Sequence, residues 1–285
     1  MPDPYNNPDS QPEATLQAMI QRLEERGRHP SFLAMIEAYV DLVPKDRALC
    51  ALDLGCGTGV VSRHLLKALH QDSVIHGADI SAELIKEASR LCPDPRVSWD
   101  RLAPGDLPYE TASFDVIVMH TLLSHVPEPM PLLREAKRLL KPQGQLIIFD
   151  ADHAGTTYAQ ADYETTRRID HLLISAIATH PAICRQMPRL LHQAGLVLVH
   201  HDVDVISECG KGDYWLSSVQ GFARMMPSIH ALTPEEADAW VKFMHDSHEN
   251  GSFFAAGAFY TFHAKSENED ALARSNVERP NSLMP

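Results

Sequence analysis

The stretch LDLGCGTG, residues 52–59, constrains the fold more than any other part of the chain. An apolar run ends in an aspartate, three glycines follow at alternate positions, and a helical pattern starts at Val60. Glycine allows positive φ angles and lets the backbone approach a ligand closely. A strand, a tight turn and a helix in this order put main-chain N–H groups at the carboxyl edge of a sheet, where open α/β sheets bind ligands. A dinucleotide site would carry G-x-G-x-x-G at this place. Here the third glycine comes one residue early, and Asp53 stands two residues before the first. A carboxylate at the strand end favours a ligand with a positive amino group over a pyrophosphate.

The segments around this turn repeat its rhythm. Residues 48–54 read as a strand, 60–70 as a helix, 73–81 as a second strand and 82–91 as its helix. A third strand begins at 97, a fourth lies within 113–121, a helix covers 127–140, and 144–152 is a fifth strand. Such alternation predicts a parallel sheet covered on both faces. A helix over 158–179, a crossover helix over 181–194, a strand from 196, helices within 212–250 and a last strand from 253 complete the chain. The predicted fold is α/β: a doubly wound, mostly parallel seven-stranded sheet with one antiparallel strand, helices on both faces and a helical cap. Residues 1–12, with four prolines among polar residues, read as a flexible arm. Residues 13–263 read as one Rossmann-like domain, with cap elements at 13–43, 155–180 and 211–250, and 264–285 as a flexible tail. Within the first cap element a helix over 14–27 is predicted to stop at Gly27.

Composition narrows the function classes. The net charge of -13 and scattered basic residues argue against a nucleic-acid or anionic-membrane partner. No run approaches the roughly 18–20 apolar residues of a membrane helix. The five cysteines are odd in number and widely spaced, which predicts neither a disulfide framework nor a metal site and fits a reducing, cytoplasmic compartment.

The segment D-x-G-x-G-x-G, formed by Asp53, Gly55, Gly57 and Gly59, resembles that of class I S-adenosylmethionine-dependent methyltransferases, in the group that includes small-molecule and quinone methylases. The later segments 114–118, 123–126, 138–144 and 146–150 fit the same pattern, and the resemblance covers about residues 40–155. It implies S-adenosyl-L-methionine as cofactor, with the turn, including Cys56, wrapping its methionine part. It implies that Asp79 takes the ribose hydroxyls and that Ile80 packs on the adenine. The third element departs from the family. In WDRLAPGDLPY the adenine position falls on Leu102 and Ala103, with Asp100 and Asp106 as flanking acids. His120, closing the fourth strand, would lie near the methionine end.

The implied reaction is in-line displacement of a methyl group to an N, O or activated C atom of a small organic acceptor. Oxygen or carbon acceptors usually need a general base. His153, just past the fifth strand, is the first choice, because an ordinary imidazole titrates near ~6.5. His120 and Asp152 are the other catalytic candidates. Tyr39, His125, Tyr158, Arg185, Tyr214 and Trp215 are the candidate acceptor contacts. His120 and His125 are five residues apart, which is not a helical metal-ligand spacing, so no metal is expected. Two other functions use the same cofactor features: a cyclase or pericyclase that retains the cofactor, and a non-catalytic partner subunit. The oligomeric state, a homodimer included, is left open.

Overall fold

The computed structural model describes residues 3–103, 107–228 and 232–266. Two helices, α1 (Glu13–Arg28) and α2 (Pro30–Val40), precede the sheet. Then follow β1 (Cys50–Leu54), α3 (Val60–Ala68), β2 (Val74–Asp79), α4 (Ala82–Leu91), β3 (Val97–Arg101), β4 (Phe114–His120), α5 (Pro129–Leu139) and β5 (Leu140–Ala151). The chain continues through β6 (Thr157–Tyr158), α6 (Tyr163–Ile177), α7 (Ile183–Ala194), β7 (Leu196–Gly210), α8 (Tyr214–Ser228), α9 (Pro234–Asn250) and β8 (Phe253–Ser266).

The strand order is β3-β2-β1-β4-β5-β8, with β7 and the two-residue β6 both pairing β8. Strands β1 to β5 are mutually parallel. β8 runs antiparallel to β5, β6 and β7. This is the doubly wound sheet predicted from sequence. The short β6 is an addition, because two residues carry no periodic signal.

Side chains alternate between two cores, as the pleat requires. Ala51, Val116, Val118, Ile147, Phe149 and Ala151 face one side, under residues from α2, α3, α6, α8 and α9. Leu52, Ile117, Met119, Leu146 and Ile148 face the other, against α5 and α7. Phe32 of α2 is fully buried in the first core, with its ring edge-on to Phe149 and Phe259. Cutting such a ring to alanine costs ~3–5 kcal/mol, so α2 is anchored to the sheet rather than laid over it.

Two terminal expectations change. Gly27 does not stop α1, which runs on to Arg28. A Cβ at Gly27 would sit 2.6 Å from Val60 Cγ1, so this glycine lets α1 lie against the start of α3. Residues 3–12, read as a flexible arm, form two 3-10 turns fixed by their aspartates. Asp9 accepts from Ser81 Oγ (2.5 Å) and the Ala82 amide (2.8 Å) at the start of α4. Asp3 is 7% exposed and pairs with His125 Nδ1 at 2.7 Å and with the Thr179 amide at 3.1 Å. Of the predicted tail, 264–266 belong to β8, and 267–285 lie outside the described residues. No helix among the described residues is long and apolar enough to cross a membrane.

Candidate active site

The carboxyl ends of β1, β2, β4 and β5 open on a cavity of about 1160 Å³. Single-ligand sites usually hold ~300–1,000 Å³, so this one lies just above that range. Its floor is the glycine turn. The Gly55 and Cys56 amides both donate to the Ala78 carbonyl (2.8 and 3.0 Å), which ties the turn to the end of β2. All three glycines have positive φ. Gly59 needs glycine twice over: its φ is +77°, and a Cβ would meet the Trp99 ring at 2.4 Å. Gly59 therefore seats the turn on β3 and does not line the cavity, whereas Gly55, Cys56 and Gly57 do.

Two carboxylates close the floor. Asp53 is 1% exposed; its Oδ2 accepts from Ser62 Oγ at 2.6 Å, while Oδ1 has no partner among the described residues. Burial pushes its carboxyl up to about 6. Asp79 accepts from the Gly57 amide and the Ser81 amide, both at 2.9 Å, and burial raises it too. Each oxygen spends one lone pair on the backbone and keeps another for a ligand. Ile80, Leu102 and Ala103 line the adjoining wall. Asp100 is turned away, bonded to His76 Nδ1 and the Tyr109 hydroxyl, and Asp106 lies outside the described residues.

The opposite half is aromatic and carries histidines. His120 lines it, stacked on Phe149 at 4.6 Å and joined through Nδ1 to the Tyr39 hydroxyl at 2.9 Å. Burial holds its imidazole well below the usual range, so it is neutral. Tyr39 is thus one layer behind the wall. The next residue, Thr121, takes a left-handed backbone (φ 48°), a strained state for a β-branched residue. Its amide bond to the Phe149 carbonyl (2.6 Å) and the hydrogen bond from Arg26 Nη2 to its Oγ1 (2.9 Å) hold it there. His125 reaches the cavity with its ring 4.8 Å from that of Tyr5.

His153 also lines the cavity, and its Nε2 is buried without a partner. Burial pushes the imidazole down to about 3. This lies below the ordinary ~6.5 used in the sequence expectation, and it leaves His153 neutral at physiological pH.

Tyr214 and Trp215 lie on the cavity wall. Asp152, Arg185 and Tyr158 do not. Ala151 faces the cavity, so the pleat turns Asp150 and Asp152 the other way. Asp152 is held by Arg185 through Nε (3.0 and 3.1 Å) and Nη2 (2.9 Å), which engages both on the far face. Tyr158 is buried among the rings of Trp215, Phe222 and Trp240.

Several wall residues were absent from the sequence reading. Arg22 and Arg26 project from α1 into the cavity, and Tyr5 and Asp9 come from the N-terminal segment. Arg22 lies 4.7 Å over the Tyr214 ring and donates to Ser217 Oγ (2.9 Å) and Ser218 Oγ (2.5 Å). The signal for the arginines was present, because positions 22 and 26 share a helix face with Met19 and Leu23. No group of three or more acidic, histidine or cysteine side chains among the described residues suits a metal.

A doubly wound sheet with a glycine turn and two strand-end carboxylates at its edge is a Rossmann-like α/β architecture. Residues 52–148 match the family model for a methyltransferase domain. The chain is 30% identical over 213 residues to an uncharacterized 37.1 kDa protein in transposon TN4556 of Streptomyces fradiae, spanning 74% of this chain and 60% of that one. It is 30% identical over 128 residues to the 2-phytyl-1,4-naphtoquinone methyltransferase of Trichormus variabilis, spanning 44% of this chain and 55% of that one. The matches thus cover less than two thirds of either relative. Among solved structures, a methyltransferase candidate from Bacillus halodurans superposes with a TM-score of 0.60 at 13% identity, over 82% of this chain and 99% of that one. The (4+2)-cyclase SpnF superposes with a TM-score of 0.53 at 18% identity, over 84% of each chain. At these identities the structural likeness is one of fold. Over residues 52–148 the chain is thus similar to class I S-adenosylmethionine-dependent methyltransferases.

Proposed function

We propose that the protein is an S-adenosylmethionine-dependent methyltransferase acting by in-line displacement on a small organic acceptor held in the aromatic half of the cavity. The observation that carries this reading is the orphaned, fully buried Oδ1 of Asp53 at the end of β1. A buried carboxylate oxygen without a donor is costly, and an ammonium group on a ligand satisfies it. Arg26, beside the turn and without a carboxylate partner among the described residues, suits the neighbouring carboxylate of a zwitterionic methionine end. The free lone pairs of Asp79 suit ribose hydroxyls, and Ile80 and Leu102 suit an adenine face, with Ala103 beside them.

When bound, S-adenosylmethionine supplies an electrophilic methyl group. The chain's own residues do the rest. Tyr5, Phe32, Tyr214 and Phe259 wall the acceptor half with rings, which excludes water and fixes orientation, the main source of rate in a displacement. His120, neutral and braced by Tyr39 and Phe149, adds a polar group to that wall without adding a positive charge. His153 offers its buried Nε2 to an acceptor hydroxyl or amine. Its low proton affinity makes it a group that orients the acceptor rather than one that strips it of a proton in advance.

The test is a calorimetric titration with S-adenosylhomocysteine, followed by incubation with S-adenosylmethionine and a panel of aromatic acceptors. Saturable one-to-one binding, weakened at least tenfold in Asp79→Ala, and release of S-adenosylhomocysteine with a methylated acceptor support the reading. Absence of binding removes it. Turnover of an acceptor without S-adenosylhomocysteine release would make the protein a cofactor-retaining catalyst instead.

A further inference from the structure

Arg22 is a cation that no described residue neutralises. A guanidinium carries five N–H donors and a permanent charge. Arg22 spends one donor each on Ser217 and Ser218, both neutral hydroxyls, and makes no ion pair among the described residues. Two acids at the start of α8 are engaged elsewhere: Glu208 accepts from the Asp213 and Trp215 amides, and Asp213 faces His29. The cavity's own carboxylates are Asp9, Asp53 and Asp79, together with Glu128 and Glu135 of the α5 region. None comes from α1, α6, α8 or β8, the elements that wall the end where Arg22 projects.

The rest of that end is apolar and ring-lined, with Phe32, Tyr214, Trp215, Phe222 and Phe259 on its walls. Polar groups of the same cavity stand beside these rings: the Arg22 guanidinium over Tyr214, the Arg26 guanidinium 5.4 Å over Phe32, and the buried Nε2 of His153, without a partner among the described residues. If Arg26 and Asp53 neutralise the two charged ends of the cofactor, as in the reading above on which this step rests, Arg22 is the charge left over. An uncompensated guanidinium at the edge of a ring-lined chamber selects an anion by a charge-assisted, fork-shaped contact.

We infer that the acceptor is an aromatic acid: a flat ring system whose carboxylate, or equivalent anionic oxygen, is held by Arg22, with a hydroxyl or amine turned toward His153. The serines that hold Arg22 fix the guanidinium in place, so the contact costs little side-chain ordering. Tyr5, whose ring packs against His125, closes the chamber from the N-terminal side.

The test uses the full chain saturated with S-adenosylhomocysteine and two probes of matched shape, a hydroxynaphthoate and the corresponding naphthol, titrated calorimetrically. The wild-type protein is expected to bind the hydroxynaphthoate at least tenfold more tightly than the naphthol. In Arg22→Gln this preference should fall to within about twofold, in Arg22→Lys it should partly return, and S-adenosylhomocysteine affinity should stay within about twofold in both. Circular dichroism checks that both variants are folded. Equal affinity of the wild type for the two probes overturns the inference, and so does a preference that survives Arg22→Gln. If S-adenosylhomocysteine itself does not bind, the cofactor reading falls, while the same probe pair on the unliganded chain still decides the role of Arg22.

Discussion

Replacing Asp53 by asparagine separates what the carboxylate costs the empty protein from what it gives a ligand. Burial lifts its carboxyl from the ordinary 3.8 to about 6. The folded chain therefore binds more protons than the unfolded chain between those pH values. Stability falls as pH rises through that window, and the penalty is fully present above it. At about 1.36 kcal/mol per tenfold the penalty is roughly 3 kcal/mol. Asp53→Asn is isosteric and uncharged, so at pH ~7.5 it should be more stable than wild type without ligand by ~1–3 kcal/mol, converging with it near pH 4. Ligand binding should move in the opposite direction. Loss of a charge-assisted hydrogen bond worth ~1.5–3 kcal/mol weakens S-adenosylhomocysteine binding about 10- to 150-fold. The wild-type affinity should also fall about tenfold from pH 7 to pH 5, as a carboxyl titrating near 6 is neutralised. The ligand's amino group, with a pKa of ~7.7–8.0, stays charged across that range, and the Asp53→Asn affinity should be much flatter. Urea unfolding with and without S-adenosylhomocysteine, and calorimetry at the two pH values, measure all of this. An Asp53→Asn protein no more stable than wild type at pH ~7.5, or a wild-type affinity unchanged between pH 5 and 7, would refute the electrostatic argument.

Three further outcomes follow from the geometry. Gly59→Ala combines a left-handed backbone, ~1–2 kcal/mol, with a collision against Trp99, ~1–3 kcal/mol; denaturant unfolding should show a loss of roughly 2–5 kcal/mol, and a loss under ~1 kcal/mol would contradict the packing. Asp9→Ala removes the acceptor for Ser81 and Ala82, a cap worth ~0.5–2 kcal/mol. Amide exchange in the first turn of α4 should rise and S-adenosylhomocysteine should dissociate severalfold faster, whereas unchanged rates would detach the N-terminal segment from the site. His153 should remain neutral at pH 5 in histidine-labelled nuclear magnetic resonance spectra; a protonation midpoint above ~5 would contradict its burial.

The sheet was legible because buried parallel strands are nearly continuous apolar runs, as in β1, β4 and β5, whereas the edge strand β3, with Ser98, Asp100 and Arg101 among its five residues, showed only its start. The glycine turn was legible because positive φ and close approach leave few substitutes for glycine. Residues 3–12 were not: their order comes from single aspartates reaching distant partners, Asp9 to Ser81 and Asp3 to His125, and no local period records such contacts. Asp152 was read into the cavity because the chain leaves the sheet there, and Arg185 because it stands where the crossover helix begins. The alternation through Ala151 turns Asp152 to the opposite face, where it holds Arg185, a distinction that depends on knowing which face the cavity occupies. His153 reached the cavity as read, but its proton affinity depends on burial that residue spacing does not reveal.

The central place of β8 bears on how the chain is made. β7 pairs only with β8 among the described residues, and β8 also covers the edge of β5. Until residues 253–266 leave the ribosome, β7 has no strand to join and β5 ends the sheet on an open edge that invites pairing with another chain. A nascent chain shorter than this holds the glycine turn and both strand-end carboxylates, yet lacks Phe259, which packs against Phe149, Phe32 and Tyr214. Closing the sheet and completing the ring-lined end of the cavity therefore both wait for β8, and a chain cut short before Phe253 should aggregate rather than persist as a smaller domain.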